Sequence, residues 1–350
     1  MWLFKSSIGR KFVMAVTGVC LVLFVTFHVL MNSVALIWPA AYNSVCEFLG
    51  ANWYALAASM GLALLFVLHI IYAVWLTLQN RAARGTDRYA VTARQPQVEW
   101  ASKNMLVLGI VIVAFLIVHL VQFWAKMQWN ELCHATVDQL PQVNGIPAGP
   151  AQGTMMLQLA FSEWWTPVVY IIGFVALWFH MTHGFWSMFQ TVGWDNNNWL
   201  GRLKTISNWW TSIVVLLFVA QAVLFTVRAH QNYYIDAPEL QEQYAEFWNE
   251  KAADAVAEFN APMYAEYAKM QAVDQSNMIA AANARAAFQN FQQTYLTEEG
   301  PAFLEKATAI TEAYQKACPE VPPTQEMQQL QQMVQQLQYM VQQTSENVNN

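Results

Sequence analysis

Five of the seven histidines in this 350-residue chain fall inside long apolar stretches. They are His28, His69, His119, His180 and His183, and they belong to four different stretches. Imidazole is the commonest metal ligand among side chains, and a polar side chain inside a bilayer is costly unless it faces a partner. A single such histidine is most simply explained by an interhelical hydrogen bond. Because four different stretches carry such histidines, a shared chemical role is favoured.

The stretches themselves predict the fold class. The chain is 56% hydrophobic and 11% charged, and about 20 apolar residues suffice to cross a bilayer as a helix. Five blocks reach that length: Phe12 to Trp38, Trp53 to Gln79, Asn104 to Met127, Trp165 to Gln190 and Trp209 to Arg228. The sequence therefore predicts an all-α membrane protein built on a five-transmembrane-helix bundle.

Basic residues predict how this bundle is oriented. Three Lys or Arg residues precede or begin the first block, five lie between the second and third, and two precede the fifth. On the opposite side there is only Lys126. The positive-inside rule then places the N-terminus in the cytoplasm of a bacterial inner membrane, and five crossings leave the C-terminal part outside.

The charge balance changes after residue 230. Residues 1–230 carry 12 basic and 7 acidic side chains, whereas residues 231–350 carry 5 basic and 16 acidic ones. We therefore expect a membrane domain over 1–230 and a helical, soluble, extracytoplasmic extension over 231–350. Its predicted helices are Glu239 to Phe259, Met263 to Tyr295 and Ala302 to Ala317, with breaks at Pro262 and at Gly300-Pro301.

The end of this extension is rich in glutamine. Within residues 326–344, apolar residues recur in steps of three and four: Met327, Leu330, Val334, Leu337 and Val341. This spacing is typical of a short coiled coil, which would self-associate or bind a partner. The alternative is a Gln-rich, partly disordered tail, and the pattern is too short to decide between the two.

The four cysteines, Cys20, Cys46, Cys133 and Cys318, form no CxxC motif. A zinc or iron–sulfur site within this chain is therefore not expected. A disulfide between Cys46 and Cys133, both on the predicted outer side, is left open because such bonds form in oxidising compartments.

Depth sorts four of the histidines into two pairs. At 1.5 Å of rise per residue, His28 and His119 lie about 24 Å and 22 Å from the inner boundaries of their blocks, and His69 and His180 both lie about 15 Å away. Each pair comes from two different helices, and the pairs are about 8 Å apart along the membrane normal. A flat macrocycle held by two axial imidazoles requires this arrangement, so the sequence predicts two haem b groups whose iron is bound by histidine. The absence of CxxCH excludes c-type attachment.

His183 is the remaining intramembrane histidine. It lies about one turn nearer the cytoplasm than His180, which suits a hydrogen bond to a haem propionate or to a quinone. It is also an alternative ligand to His180. Gly184, four residues after His180, lies on the same helix face and leaves room for a ring to approach.

Two quoted segments resemble a known family. "SSIGRKFVMAVTGVCLVLFVTFHVLMN" (Ser6 to Asn32) and "FHMTHGFWSMFQTVGW" (Phe179 to Trp194) resemble the first and fourth helices of the cytochrome b membrane anchor of succinate dehydrogenase and fumarate reductase, respiratory complex II, in its single-subunit, dihaem, five-helix type. The resemblance covers about residues 1–230. By this resemblance, His69 and His180 would hold the proximal haem, and His28 and His119 the distal haem.

The resemblance also implies partners and substrates. Such an anchor docks a flavoprotein subunit and an iron–sulfur subunit on its cytoplasmic side and exchanges electrons with menaquinone. The chain would be the quinone-reactive membrane subunit of the enzyme, without a dicarboxylate site of its own, and the whole complex is expected to form an oligomer. No nucleic-acid partner is expected.

The chain departs from the family pattern at two positions. Trp178 stands where some relatives have a glutamate that serves transmembrane proton movement. Relatives also use a glutamate near the outer end of the first helix at the quinol site, and the nearest candidate here is Glu47, which is otherwise an ordinary solvated loop residue. Basic residues of the inner loops are candidate partners of propionates or of the soluble subunits: Arg81, Arg84, Arg88 and Lys204.

Two rival interpretations remain. The cytochrome b subunit of a formate dehydrogenase or a hydrogenase would share the haem chemistry but not the partner subunits. A non-haem transporter would use the histidines to move protons. The spans hold almost no carboxylates to relay protons and show no inverted repeat, which argues against the transporter.

Overall fold

A computed structural model gives the structure of this chain. It describes residues 6–50, 52–84, 99–194 and 196–349, without the side chains of residues 84 and 342–349. The chain divides into two compact units. The first contains Met1–Cys133 and Pro150–Tyr234, and the second contains His134–Gly149 and Ile235–Asn350.

The described residues of the first unit form eight helices that we name in chain order. They are α1 (Ser7–Ile37), α2 (Pro39–Gly50), α3 (Trp53–Arg84), α4 (Trp100–His119), which continues as a π-helix over Leu120–Trp129, α5 (Asn130–Leu132), α6 (Gly153–Phe161), α7 (Trp165–Gln190) and α8 (Leu200–His230). A ninth short helix, α9 (Tyr233–Asp236), spans the boundary between the units.

Five of these segments are long and apolar enough to cross a membrane, as predicted. They are Ser7–Ile37, Trp53–Ala83, Trp100–Leu132, Trp165–Gln190 and Leu200–His230. Their outward side chains are large and apolar, as with Leu23, which is 64% exposed, and Leu64, which is 61% exposed. Apolar side chains that face outward along all five helices indicate a lipid environment, so the prediction of a multi-pass, all-α membrane protein is confirmed.

Local chemistry sets the ends of α1. The Ser6 hydroxyl accepts a hydrogen bond from the Gly9 amide at 2.9 Å, which satisfies one of the free donors of the first turn. At the other end, Pro39 disfavours helical geometry at Trp38, whose φ of −142° is extended. The helix therefore stops there, and α2 starts in a new direction.

Within the first unit, helix packing brings the five spans together. α7 packs against α4 and α8, and α1 packs against α3, α7 and α8. The third span changes from α-helix to π-helix directly after His119. Long π-helical segments are rare and are found mostly near functional sites.

The second unit is also helical. It contains α10 (Pro238–Gln271), α11 (Met278–Glu298), α12 (Gly300–Ala317), α13 (Gln325–Asn349), a 3₁₀ turn at Val137–Gln139 and a small antiparallel hairpin of β1 (Gln142–Val143) and β2 (Ile146–Pro147). Asn144 and Gly145 join the two strands with φ angles of 51° and 78°, as a two-residue hairpin turn requires.

This unit joins two distant parts of the sequence. β2 and the 3₁₀ turn, which follow the third span, pack against α12, which follows the fifth. Gly149 lies so close to the Phe247 ring of α10 that a Cβ there would be 2.6 Å from Cζ. Two further crossings separate these parts, so their packing agrees with five alternating spans. The predicted membrane domain over 1–230 includes residues 134–149, but the structure places them in the second unit.

The helix boundaries of this unit differ from those predicted. Pro262 lies inside α10 instead of ending a helix, and the break falls at residues 272–277. Phe259 explains the first difference, because its ring stacks on Phe303 at 3.9 Å and its carbonyl accepts a hydrogen bond from Tyr295 at 3.0 Å. This packing keeps the chain helical across the proline, whose own effect is destabilising.

Four of the five heptad residues of α13 are buried inside the unit, whereas Val341 is 51% exposed. Met327 and Leu330 are fully buried, and Val334 and Leu337 are 7% and 6% exposed. α13 packs against α10 and α12 of its own chain. The apolar stripe therefore completes the core of the unit, together with Trp248 and Tyr244 of α10.

Candidate functional site

The inner histidine pair lies between α3 and α7. The rings of His69 and His180 have centroids 6.4 Å apart and planes inclined at 64°. A metal–imidazole nitrogen bond is about 2 Å and the ring centre lies about 1 Å farther, so two imidazoles on opposite sides of one ion have centroids about 6 Å apart. The observed distance fits a metal held between the two rings.

The outer pair lies between α1 and α4. The His28 and His119 rings have centroids 5.7 Å apart and are nearly perpendicular, at 86°. The structure thus brings together the same two pairs that helix depth predicts, each from two helices. Within the described residues, no group of three or more metal-ligating side chains is found, so the sites offer two protein ligands each. A porphyrin iron needs no more, because its ring supplies the other four.

The hydrogen bond of His69 fixes its tautomer. The Thr17 hydroxyl lies 3.1 Å from His69 Nδ1 and donates its own proton to the carbonyls of Val13 and Met14 at 3.0 Å. With that proton directed to a carbonyl, the hydroxyl oxygen is the acceptor for the Nδ1 proton in the tautomer that carries its lone pair on Nε2. This leaves the Nε2 lone pair of His69 for a metal, the arrangement usual for ligating histidines.

His119 is held in the same way by a longer chain. Its Nδ1 lies 3.2 Å from the Tyr170 hydroxyl, which donates to Gln122 Oε1 at 3.0 Å. Gln122 Nε2 in turn donates to Thr166 Oγ1 at 3.0 Å. Tyr170 therefore accepts from His119 Nδ1, which again leaves Nε2 as the metal-binding nitrogen. Gln122 belongs to the π-helix and is buried, so that irregular segment supplies part of this network.

His28 and His180 are less well arranged to bind a metal than His69 and His119. His28 Nε2 accepts a hydrogen bond from Asn32 Nδ2 at 3.1 Å, and Asn32 Oδ1 accepts one from the Tyr42 hydroxyl at 3.1 Å. An iron at His28 Nε2 would require the Asn32 amide to turn away. His180 Nδ1 is buried and makes no hydrogen bond among the described residues, which marks an unsatisfied polar atom at the inner pair.

Glycines line the inner pair on two sides. A Cβ at Gly18 of α1 would lie 3.8 Å from His69 Cε1, and a Cβ at Gly109 of α4 would lie 3.9 Å from His180 Cε1. A Cβ at Gly184 would meet nothing within 4 Å, in agreement with the space expected there. Small residues at these positions suit the close approach of a large flat ring.

His183 does not face another imidazole. Its Nδ1 lies 3.2 Å from Glu99 Oε2, and the other Glu99 oxygen accepts from Lys204 Nζ at 2.7 Å. The Lys204 ammonium lies 4.4 Å from the centre of the Trp186 ring. Burial alone would raise the pKa of Glu99, but the hydrogen bonds from Lys204 and His183 outweigh it and lower this pKa below its ordinary value. His180, not His183, is therefore the ring partner of His69.

Sequence reasoning missed Glu99. Its only signal was a lone carboxylate at the start of the third span, at the same membrane level as the basic residues before the fifth. Of the basic residues considered for the inner side, Lys204 pairs with Glu99, whereas Arg81 is exposed. The side chain of Arg84 and the whole of Arg88 lie outside the described residues.

Glu47 lies in a cleft at the opposite membrane end from Glu99. The cleft has a volume of about 590 Å³ and lies between α2 and the start of α3. Its lining combines a carboxylate, an amide, a hydroxyl and aromatic rings: Ser44, Glu47, Phe48, Asn52, Trp53 and Tyr54. Most of these side chains are exposed, so the cleft is an open depression on the surface of the first unit.

Two other positions have structural roles. Trp178 donates its indole N–H to Ser212 Oγ at 3.0 Å and so links α7 to α8. Cys46 and Cys133 are both free thiols, so the disulfide left open by the sequence is not formed. Cys46 contacts Tyr42 and Gly153, and burial raises its pKa to about 12, which disfavours the reactive thiolate.

No family model, no curated protein and no solved structure matches this chain.

Proposed function

We propose that this chain is the cytochrome b membrane-anchor subunit of a succinate:quinone or quinol:fumarate oxidoreductase. One observation carries the proposal. Four histidines from four spans form two ring pairs, His69 with His180 and His28 with His119, whose centroid distances of 6.4 Å and 5.7 Å suit a metal between two imidazoles. Two b haems bound there would supply reversible one-electron chemistry across the membrane.

The protein's part in that chemistry is to set ligand geometry and basicity. Thr17 and Tyr170 accept the Nδ1 protons of His69 and His119, which orients the rings and makes Nε2 a stronger donor. The four rings are part-buried in membrane-spanning helices, where lipid and neighbouring helices would keep water away and would favour the less charged oxidation state of a bound haem. Gly18 and Gly109 leave the space that a macrocycle needs next to the inner pair.

A quinone site belongs at the cleft around Glu47. The Glu47 carboxylate is suited to accept a proton when a quinol is oxidised, because it borders on both the cleft and water. Asn52 and Ser44 offer hydrogen bonds to a quinone oxygen, and Phe48, Trp53 and Tyr54 offer aromatic surface for its ring. Menaquinone is the substrate that fits the family resemblance.

Orientation follows from charge. The basic loops support an orientation with the N-terminus, Arg81 and Lys204 on the cytoplasmic side of a bacterial inner membrane, where a flavoprotein and an iron–sulfur subunit would dock. The second unit is then an extracytoplasmic, soluble helical extension.

Purification of the tagged chain from its native membranes tests this proposal. We expect a flavoprotein and an iron–sulfur subunit to co-purify, and succinate or fumarate to change the oxidation state of a b haem in the complex. A molybdenum-containing or nickel-containing partner would assign the chain to a formate dehydrogenase or a hydrogenase instead. A chain with no redox partner would refute the anchor role. His230 is an exposed histidine outside the two pairs. The variant His230→Ala therefore serves as the matched control for histidine substitutions within the pairs.

A further inference from the structure

A hydrogen-bonded network leads away from the outer histidine pair. It joins His119 Nδ1 to the Tyr170 hydroxyl at 3.2 Å, this hydroxyl to Gln122 Oε1 at 3.0 Å, and Gln122 Nε2 to Thr166 Oγ1 at 3.0 Å. We call these four residues the outer network. Tyr170, Gln122 and Thr166 are buried, so bulk water does not replace a missing partner at any of them.

Gln122 is the member that gives this network its direction. A hydroxyl oxygen and a histidine ring nitrogen can each act as donor or acceptor, whereas a glutamine amide accepts through Oε1 and donates through Nε2. In the structure Oε1 faces Tyr170 and Nε2 faces Thr166. The Tyr170 proton is therefore directed to Gln122, and the Tyr170 oxygen is left to accept from His119 Nδ1.

A turned amide would reverse every bond in the network. With Nε2 facing Tyr170, the hydroxyl would accept from Gln122 and donate to His119 Nδ1, and the proton of the ring would lie on Nε2 instead. A protonated Nε2 has no lone pair for a metal. Both directions contain the same number of protons and the same charge. The orientation of one amide therefore separates a His119 that can bind iron from one that cannot.

The inner pair has no such ambiguity. The Thr17 hydroxyl, which lies 3.1 Å from His69 Nδ1, donates to the main-chain carbonyls of Val13 and Met14. A main-chain carbonyl oxygen accepts only, and it cannot change places with a donor. The backbone thus sets the direction at the inner pair, whereas a single side chain sets it at the outer pair.

The local helix type supports a specific role for Gln122. This residue lies in the first turn of the π-helix Leu120–Trp129, which begins directly after His119. Segments of this kind are rare and are found mostly at functional sites. Gln122 is the one buried residue of the ten, although most of the others are apolar. The irregular helix therefore turns an amide, and not an apolar side chain, toward the outer pair.

We propose that Gln122 is the positioning residue that sets the tautomer of His119 and so prepares its Nε2 for the iron of the outer haem. This inference rests on the proposed function, which places a haem at His119. Gln122 acts through Tyr170 and not on the iron itself. Without Gln122, the Tyr170 proton has no acceptor among the described residues except His119 Nδ1, which favours the tautomer that cannot bind iron.

Titration of haem into the haem-free full chain tests this role. Gln122→Leu should weaken binding of the outer haem by about two- to twelvefold, the value of one hydrogen bond, and should leave the inner haem unchanged. Gln122→Glu should restore wild-type binding, because a carboxyl oxygen accepts from Tyr170 whether or not the group is protonated. The outer component is the one that His28→Ala removes, and the inner component reports that each variant is folded.

Gln158→Leu is the matched control. Gln158 is also a buried glutamine of the first unit, but its Nε2 donates to the Ala229 carbonyl at 2.7 Å and it has no bond to the outer network. Its loss should leave the outer haem in place. Wild-type binding in Gln122→Leu, failure of Gln122→Glu to restore binding, or an equal loss in Gln158→Leu would overturn the proposal.

Nitrogen NMR of the histidine-labelled, haem-free chain reads the tautomer directly. His119, assigned by the signal that His119→Ala removes, should carry its proton on Nδ1 in the wild type and in Gln122→Glu, and on Nε2 in Gln122→Leu. A proton on Nε2 in the wild type, or on Nδ1 in Gln122→Leu, would refute the role of Gln122. A wild-type chain that binds no haem would refute the proposed function instead, and the NMR spectrum would still test the network.

Discussion

The hydrogen bond from His119 to Tyr170 gives the sharpest prediction of the haem account. Substitution Tyr170→Phe removes the acceptor of the His119 Nδ1 proton, which lies 3.2 Å from the hydroxyl oxygen. This bond makes the imidazole a better electron donor and so favours oxidised iron. Its loss should therefore raise the midpoint potential of the outer haem.

The magnitude follows from the strength of one hydrogen bond. A typical net value is about 0.5–1.5 kcal/mol, and 1.4 kcal/mol corresponds to about 59 mV for a one-electron couple, so the expected rise is about 20–60 mV. Thr17→Val removes the equivalent acceptor of the His69 Nδ1 proton. It should raise the midpoint potential of the inner haem by a similar amount. Thr26→Val is the control, because this hydroxyl bonds only to the carbonyl of Val22 in its own helix.

Potentiometric titration of the haem absorbance of each variant measures both potentials at once. The prediction is a crossed pattern, in which Tyr170→Phe moves only one component and Thr17→Val moves only the other. If both variants moved the same component, or neither moved any, the assignment of these hydroxyls to two separate haem ligands would be wrong.

Three further variants test other parts of the account. Gly109→Leu should reduce the haem content from two to one, because its side chain would fill the space next to His180; haem extraction measures this. Glu47→Gln should slow haem reduction by added menaquinol at least about tenfold, because a general base is lost, and should leave the haem content unchanged. The control is Glu131→Gln at an exposed position, which should be reduced at the wild-type rate. Glu99→Gln should lower stability by about 1 kcal/mol or less at pH 7, since Glu99 is 38% exposed. Because the pKa of Glu99 is lowered in the folded state, the stability difference between the wild type and Glu99→Gln is fully present above the ordinary Glu pKa of about 4.3. It disappears as the pH falls through the folded-state pKa of Glu99. Thermal unfolding at several pH values measures this change.

Residue type and depth were sufficient to predict the spans and the histidine pairs. A bilayer imposes a fixed length and an apolar composition on every crossing, so the five helices could be read directly. His69 and His180 could be paired because a straight helix converts residue number into depth. The change to a π-helix after His119 has no comparable signal in the sequence. It alters which side chains face the pair of His28 and His119, Gln122 among them.

The second unit was harder to predict because tertiary contacts decide its structure. Pro262 reads as a helix end, yet the packing of Phe259 on Phe303 keeps the helix continuous. The heptad stripe of α13 reads as an exposed coiled-coil seam, yet Met327 and Leu330 are buried in the core of their own chain. The contact of β2 with α12 joins residues that are more than 150 positions apart, and no local pattern reports it.

Quantification of haem per chain in purified protein tests the central claim most directly. We expect two b haems in the wild-type chain and in His230→Ala, and one each in His28→Ala and His69→Ala, with a different spectral component lost in the two variants. If the wild-type chain carries no haem, or if both variants lose the same component, the paired-ligand account is wrong.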